Sequence, residues 1–367
     1  MSKIFCFIFF YVLPVFIIAQ KLTGKVIEAN TQKPIVAASI YLSNTSIGCI
    51  SNNNGEFVME KIPIGKYDLI VSCLGYEPFV QTIESGNLPV FITVKLKTKI
   101  KELAEVVVET YDKDGWKKWG NFFLENFIGK SSNATNCKIL NKDVIKFKYS
   151  HKQNVLNAFA LEPLIIQNKS LGYNIKFELQ VFSYDYNKRL LFYAGYPFFQ
   201  EMDTKRTRQQ KRWNERRDET YYGSMMHFMR ALFRNKLKEN EFEVRKMIDK
   251  NNASYLINTI LPGDSVAYAI DNTTIALEFL DKLDIMYKGR KAPYEYANQP
   301  FGKKDEHEIS QIKLTGASRV EVVSNGSYYD PMHLLSFGYW AWSEKMANML
   351  PYDFKPQTPA NKKSQPL

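Results

Sequence analysis

The sequence predicts a small all-β sandwich at its N-terminus, followed by a larger mixed α+β domain. Residues 21–98 break into short strand-like segments at Gly, Asn and Pro, while residues beyond 113 mix helical and strand periods without regular β-α-β alternation. The length agrees, since 367 residues suit two domains better than one core. An aromatic share of 14% leans the whole toward strands. With 45% hydrophobic and 24% charged residues, disorder is expected only at the ends.

The first element, residues 1–19, reads as a secretory signal peptide. Lys3 supplies a positive n-region, Ile4 to Ile18 form an apolar run, and Ala19-Gln20 offers a cleavage point. The rival reading is an uncleaved anchor, because Ile17 is larger than the small residue usual two before the cut. Cys6 lies within the apolar run, which argues against a lipoprotein anchor. No second run of about eighteen apolar residues follows, so the mature chain is expected to have no transmembrane span.

Residues 20–98 carry the sandwich. Tyr67, Leu69, Val71 and Cys73 alternate with Asp68, Ile70 and Ser72, and Ile40 and Leu42 alternate with Ser39, Tyr41 and Ser43. Asn53-Asn54-Gly55, between Ile50 and Phe57, predicts a hairpin turn, since Asn and Gly accept positive φ. Pro63 and Gly65 mark the next corner. Cys49 and Cys73 fall on strands as a possible pair or as two small buried hydrophobes, the second fitting a sparse, odd set of cysteines better.

The ordered set Gly24-Lys25-Val26, Lys33-Pro34-Ile35, Ala38 to Leu42, Ser51 to Phe57, Ile62 to Tyr67 and Leu74-Gly75-Tyr76 resembles the carboxypeptidase-regulatory-like domain of Bacteroidetes exported proteins. That resemblance implies a transthyretin-like (prealbumin-like) Greek-key sandwich serving as a non-catalytic accessory. Ser51-Asn52 stands where the family usually has Ser-Asp, and Gly48-Cys49 where it has Gly-Thr; an amide caps a turn as an acid does. Within the linker strand, residues 99–112, Leu103 to Glu109 resembles the strand leading to the plug of TonB-dependent outer-membrane receptors. Too few residues remain for the barrel of such a receptor, so a transporter is set aside.

Residues 113–350 are expected to form the α+β domain. Trp116, Trp119, Phe122, Phe123 and Phe127 recur at helical spacing and predict an amphipathic helix on a core. Strands are predicted at Ile145 to Tyr149, Ile175 to Val181, Tyr255 to Ile260, Ile275 to Phe279, Ile309 to Leu314 and Arg319 to Val323. Ser224 caps a predicted helix reaching about Glu239, and a second helix is predicted over Gly338 to Leu350. Segments such as Leu164 to Tyr173, Tyr222-Gly223-Ser224 and Gly338 to Trp342 are similar to a domain that follows the sandwich in other Bacteroidetes envelope proteins, one without assigned chemistry. Residues 351–367, with Lys362 and Lys363, read as a disordered tail.

No catalytic motif stands out. His151, His227, His307 and His333 lack a Glu or His at metal-site spacing, and Asp305 to Glu308 reads as a solvated polar loop. No nucleophile elbow or phosphate loop occurs, and nothing selects a Ser/His/Asp triad. The expectation is no catalytic residue, no metal and no cofactor, with the enzyme question open and leaning to no. The binding candidate is the basic run Lys205 to Arg217, in which Arg208, Arg212, Trp213, Arg216 and Arg217 could grip an anionic ligand. The bland reading is a solvated helix face with local ion pairs. Net charge is +11. In an exported chain this sets nucleic acid aside and points to an envelope protein, an anionic glycan or a lipid headgroup, or to solubility alone.

The sequence therefore predicts an exported, non-catalytic binding or assembly protein, periplasmic or outer-membrane-associated. The alternative is an envelope hydrolase of peptide or glycan with its site in residues 113–350. A cleft gathering carboxylates with shifted pKa would favour the enzyme. A flat apolar or strand-edge surface would favour the binder.

Overall fold

A computed structural model describes residues 21–88, 90–99, 111–251, 253–300 and 306–357. The signal segment and the linker stretch Leu103 to Glu109 lie outside the described residues.

The sandwich is built from β1 (Leu22–Glu28), β2 (Ser39–Leu42), β3 (Gly48–Ile50), β4 (Glu56–Met59), β5 (Lys66–Ser72), β6 (Phe79–Glu84) and β7 (Val90–Leu96). One sheet runs β4-β1-β7, with β7 parallel to β1, and the other runs β3-β2-β5-β6. The predicted period holds, with Ile40, Leu42, Tyr67, Leu69 and Val71 filling the core between the sheets. The Asn-rich turn is a correction. It joins β3 to β4, which lie in different sheets, so it makes a crossing and not a hairpin. Asn52 Oδ1 accepts the N–H groups of Asn54 and Glu56 at 2.9 Å each, and Gly55 takes φ +75°. Cys49 and Cys73 are free and half-buried.

Residues 111–357 hold two cores. The first lies under α1 (Gly115–Phe127) and a six-stranded sheet of β8 (Cys137–Ile139), β9 (Ile145–Ser150), β10 (Val155–Ala160), β11 (Leu164–Asn168), β12 (Tyr173–Asp185) and β13 (Leu190–Glu201). Phe123 and Phe127 are fully buried on it, each contributing about 2–3 kcal/mol of burial. Met346, Ala347 and Leu350, far along the chain, complete the same core.

The second core lies between two sheets and a helix. β14 (Phe242–Lys250), β15 (Ala253–Ile260), β18 (Lys282–Lys291), β19 (His307–Leu314) and β22 (Leu334–Gly338) form the order β15-β14-β18-β19-β22. β16 (Ala267–Ala269), β17 (Thr274–Glu278), β20 (Arg319–Val323) and β21 (Tyr328–Tyr329) form the other sheet. Between the two cores run α2 (Thr207–Tyr221) and α3 (Met225–Phe233), with short α4 (Tyr294–Ala297) and α5 (Tyr339–Ser343) on the second.

Two predicted helices are shorter than expected. α3 starts at its Ser224 cap but ends at Phe233, because Asn235 adopts φ +50° and the Lys236 N–H turns back to Ala231 O at 2.8 Å. Lys236 and Lys238 thus lie beyond its end. The helix predicted over Gly338 to Leu350 stops at Ser343, and a separate 3-10 turn spans Met346–Asn348.

The sandwich is fixed to the first core. Tyr41, on the outer face of β2, stacks on Phe198 of β13 at 5.0 Å between ring centres. Asn44 N–H donates to Pro197 O at 2.8 Å, Phe199 N–H to Thr45 O at 3.0 Å, and Ser72 Oγ to Glu178 Oε1 at 2.6 Å. The expected tail is ordered where it begins. Tyr352 N–H donates to Asn44 O at 2.6 Å, and Ser46 N–H and Oγ both donate to the Asp353 carboxylate.

Candidate functional site

The basic run forms α2, and the structure divides its five candidate residues. Trp213, Arg217 and Tyr221, spaced four apart, make the buried face. Trp213 Nε1 donates to Lys169 O at 3.0 Å, and its ring presses on Gly172. Arg217 donates from Nε to Leu171 O at 2.7 Å and from Nη2 to Gly172 O at 3.2 Å. It also pairs with Glu201 at 3.2 Å and lies 4.0 Å from the centre of the Tyr173 ring. These two hold the helix down. Arg208, Arg212 and Arg216 are exposed on its free side.

Arg216 also lines a cleft of about 510 Å³ at the junction of the two cores. One wall is the loop after α1, where Asn133 Nδ2 reaches Thr220 Oγ1 and Asn348 Oδ1, both at 3.0 Å. The opposite wall is the end of β18 with Arg290 and Lys291, and Glu295 of α4. Glu308, Tyr339, Trp342 and Ser343 form the buried floor.

Glu308 corrects the expectation of a solvated loop at Asp305 to Glu308. It sits on β19 with 2% of its surface exposed, and its Oε1 accepts Arg290 Nε at 2.5 Å. Arg290 in turn donates from Nη1 to Glu219 O at the end of α2. Burial pushes the Glu308 carboxyl up, and Arg290 opposes that shift. Arg290 is its counter-charge at contact distance, and burial outweighs that attraction in the net shift. The phenol of Tyr339 lies near it without reaching hydrogen-bond geometry at Oε2.

Glu344 follows directly after α5. Its Oε1 accepts the Met225 N–H at 3.0 Å, closing the N-terminus of α3 beside the Ser224 cap. Part of its surface stays open to the cleft, although it lies deep between the cores. Burial, and then repulsion from Glu308, push its carboxyl up to about 7. Three buried polar atoms of the floor find no hydrogen-bond partner among the described residues: Glu308 Oε2, Trp342 Nε1 and Ser343 Oγ.

His227 lies behind the floor and is structural. Its Nδ1 accepts the Gly223 N–H at 3.2 Å, so Nε2 carries the proton and donates to Asn240 Oδ1 at 3.0 Å. Burial pushes it down to about 4. Among the described residues, no group of three His, Cys, Asp or Glu is placed to hold a metal ion, and no helix is long and apolar enough to cross a membrane.

Sequence reasoning missed Glu308 and Glu344. The first was detectable, since extending the Ile309 to Leu314 strand back by two residues places Glu308 on the inward face of Ser310 and Ile312. The second was hidden by reading one continuous helix through it.

No curated protein matches the chain. Among solved structures, a group B streptococcus pilus 2b backbone protein matches at 17% identity over 23% of this chain and 42% of its own, with a TM-score of 0.20. A cohesin–X-dockerin complex of Acetivibrio cellulolyticus matches at 17% identity over 21% and 51%, with a TM-score of 0.16. A protein of unknown function from Bacteroides fragilis matches at 12% identity over 44% and 64%, with a TM-score of 0.18. The chain thus spans less than two thirds of each of these proteins, and at such scores none informs the reading of the cleft. The first domain is different: residues 22–108 match the family model of the CarboxypepD_reg-like domain, and the sandwich of β1 to β7 is that domain in this protein.

Proposed function

We propose that the protein is an exported, non-catalytic binding protein of the cell envelope, with the cleft beside α2 as its ligand site. The observation that carries this reading is the trio of unpartnered buried atoms on one cleft floor, because buried polar groups are otherwise almost always satisfied. The cleft has the size of a small-molecule site, and its hydroxyl and amide walls suit a polar ligand. Among the described residues Arg216 at the rim makes no ion pair, and Arg208 and Arg212 extend the cationic face away from it. An anionic glycan or phosphorylated headgroup matches that arrangement. Lys3 and the apolar run after it support export.

Calorimetric titration of the mature chain with acidic oligosaccharides and headgroup analogues tests this. Affinity that falls at least tenfold in Arg216→Glu supports the site. Unchanged affinity in Arg216→Glu, or no binding across the panel, removes it. Charge reversal belongs at Arg208, Arg212 and Arg216 only, since Arg217 is needed for the fold.

One observation favours the hydrolase alternative. Glu344 has its carboxyl pushed up to about 7 beside a second carboxylate, as a general acid requires. Turnover of peptide or glycan by the wild type, lost in Glu344→Gln with the fold intact, would establish that reading in place of the first.

A further inference from the structure

A second cavity, of about 790 Å³, opens between the two cores and is walled off from the cleft by α5 and the residues that follow it. Ala341 and Lys345 line this cavity, Ser343 and Glu344 line the cleft, and Trp342 lines both. On one side stand the first residues of β13, Leu190, Leu191 and Phe192. On the other stands β22, the last strand of its sheet, with Leu334 and Leu335. The volume is that of a small-molecule site, and these two walls are apolar.

The charged groups that line the cavity are Glu125, Lys130, Arg189, Glu306, His307 and Lys345, so three cations stand against two carboxylates. Glu125 and Lys130 answer each other at 2.8 Å, and His307 Nδ1 meets Arg290 O at 3.1 Å. Lys345 is different. Its stem passes Gly129, where φ is +100° and a Cβ would stand 2.8 Å from that of Lys345. Its Nζ lies 5.7 Å from the centre of the Tyr193 ring, and among the described residues it has no ion pair and no hydrogen bond. Burial pushes the ammonium down to about 8, against the attraction of Glu344. An ammonium with only an aromatic face beside it lacks the anion that would offset its desolvation.

We propose that this cavity binds an acyl-chain carboxylate, with the head group on Lys345 and the chain between the leucines of β13 and β22. The unpaired ammonium selects an anionic head. Lys345 is a single point charge with three donors, which suits one carboxylate better than a group needing a bidentate fork. The apolar walls select the body, since a sugar or peptide backbone laid against them would lose hydrogen bonds to water and find few in return. An aliphatic chain instead takes the leucine side chains out of water as it enters. This site is separate from the cleft beside α2 and does not rest on the reading of that cleft.

Calorimetric titration of the mature chain with octanoate, decanoate and decanol, each kept below the concentration at which it aggregates, tests this inference. One saturable site is expected. Decanoate should bind about tenfold tighter than decanol, because only the carboxylate makes a charge-assisted bond to Lys345. Octanoate should bind about tenfold weaker than decanoate for its two missing methylenes. In Lys345→Met the preference for decanoate over decanol should vanish while decanol binds as before, and Lys345→Arg should restore the preference. Arg216→Glu, at the rim of the cleft, should change neither. The absence of a saturable site, or equal affinity for decanoate and decanol in the unaltered chain, would overturn the proposal without recourse to any variant. A preference that survives in Lys345→Met, or decanoate binding that is lost in Arg216→Glu, would overturn it as well.

Discussion

Gly223 packs its bare Cα against Glu308 Oε2, and no side chain fits between them. The backbone there holds φ +83°, the Gly223 carbonyl accepts Trp340 Nε1–H at 2.8 Å, and its N–H donates to His227. One glycine thus joins the hinge between α2 and α3 to the cleft floor. Gly223→Ala would strain the left-handed backbone and displace the carboxylate paired with Arg290. A loss of about 2–4 kcal/mol is expected from urea unfolding. A loss under about 1 kcal/mol would show that the floor adapts freely.

The two kinds of arginine on α2 should separate cleanly. Arg217→Ala removes two bonds to loop carbonyls, the pair with Glu201 and the contact with Tyr173, and leaves those carbonyls short of a donor. We expect about 3 kcal/mol of destabilisation. Arg212→Ala should change stability by no more than about 0.5 kcal/mol. Parallel denaturation curves for the two variants would contradict the division of the helix into faces.

Acid stability should contain two opposed contributions. His227 is held at about 4 against an ordinary 6.5, so between those values only the unfolded chain binds its proton, and stability falls as pH falls. Glu344 is raised to about 7 from an ordinary 4.5, so over that window only the folded chain binds its proton, and stability falls as pH rises. Each is worth at most about 3 kcal/mol, and the windows overlap. Relative to wild type, Glu344→Gln should gain stability from pH 5 to 7, and His227→Gln should gain it from pH 6.5 to 5. Unfolding midpoints measured at pH 5 and 7 decide; lines parallel to wild type would mean neither group is held away from its ordinary value.

The sandwich should come loose when the C-terminal clasp is cut. Asp353→Ala removes the acceptor for Ser46 N–H and Oγ. Proteolysis within residues 351–357 should quicken several-fold while the core strands stay protected. Equal cleavage rates would place the restraint on Tyr352 and β13 instead.

The sandwich was legible because one face of each strand looks into a single core, which stamps period two on residues such as Leu69 and Val71. One missed strand is covered on both faces. β13 lies against the first core with Phe199 and against the sandwich with Phe198, so it reads as a nearly unbroken apolar run. The site was harder. Glu308 and Arg290 are ordinary surface residues by type, and only the approach of β18 to β19 buries the first and sets the half-buried second against it. Trp213 and Arg217 looked like ligand groups because the carbonyls that hold them, at residues 169–172, are distant in the chain.

The first core closes only when Met346, Ala347 and Leu350 arrive, about 150 residues after its last strand. A chain emerging end-first, from a ribosome or through a secretion pore, can complete the sandwich early. It must then hold Phe127, Phe177 and their neighbours incompletely covered until residues 346–350 are out. The middle of this protein therefore stays open longer than the domain that precedes it, and its apolar face is the surface exposed during that interval.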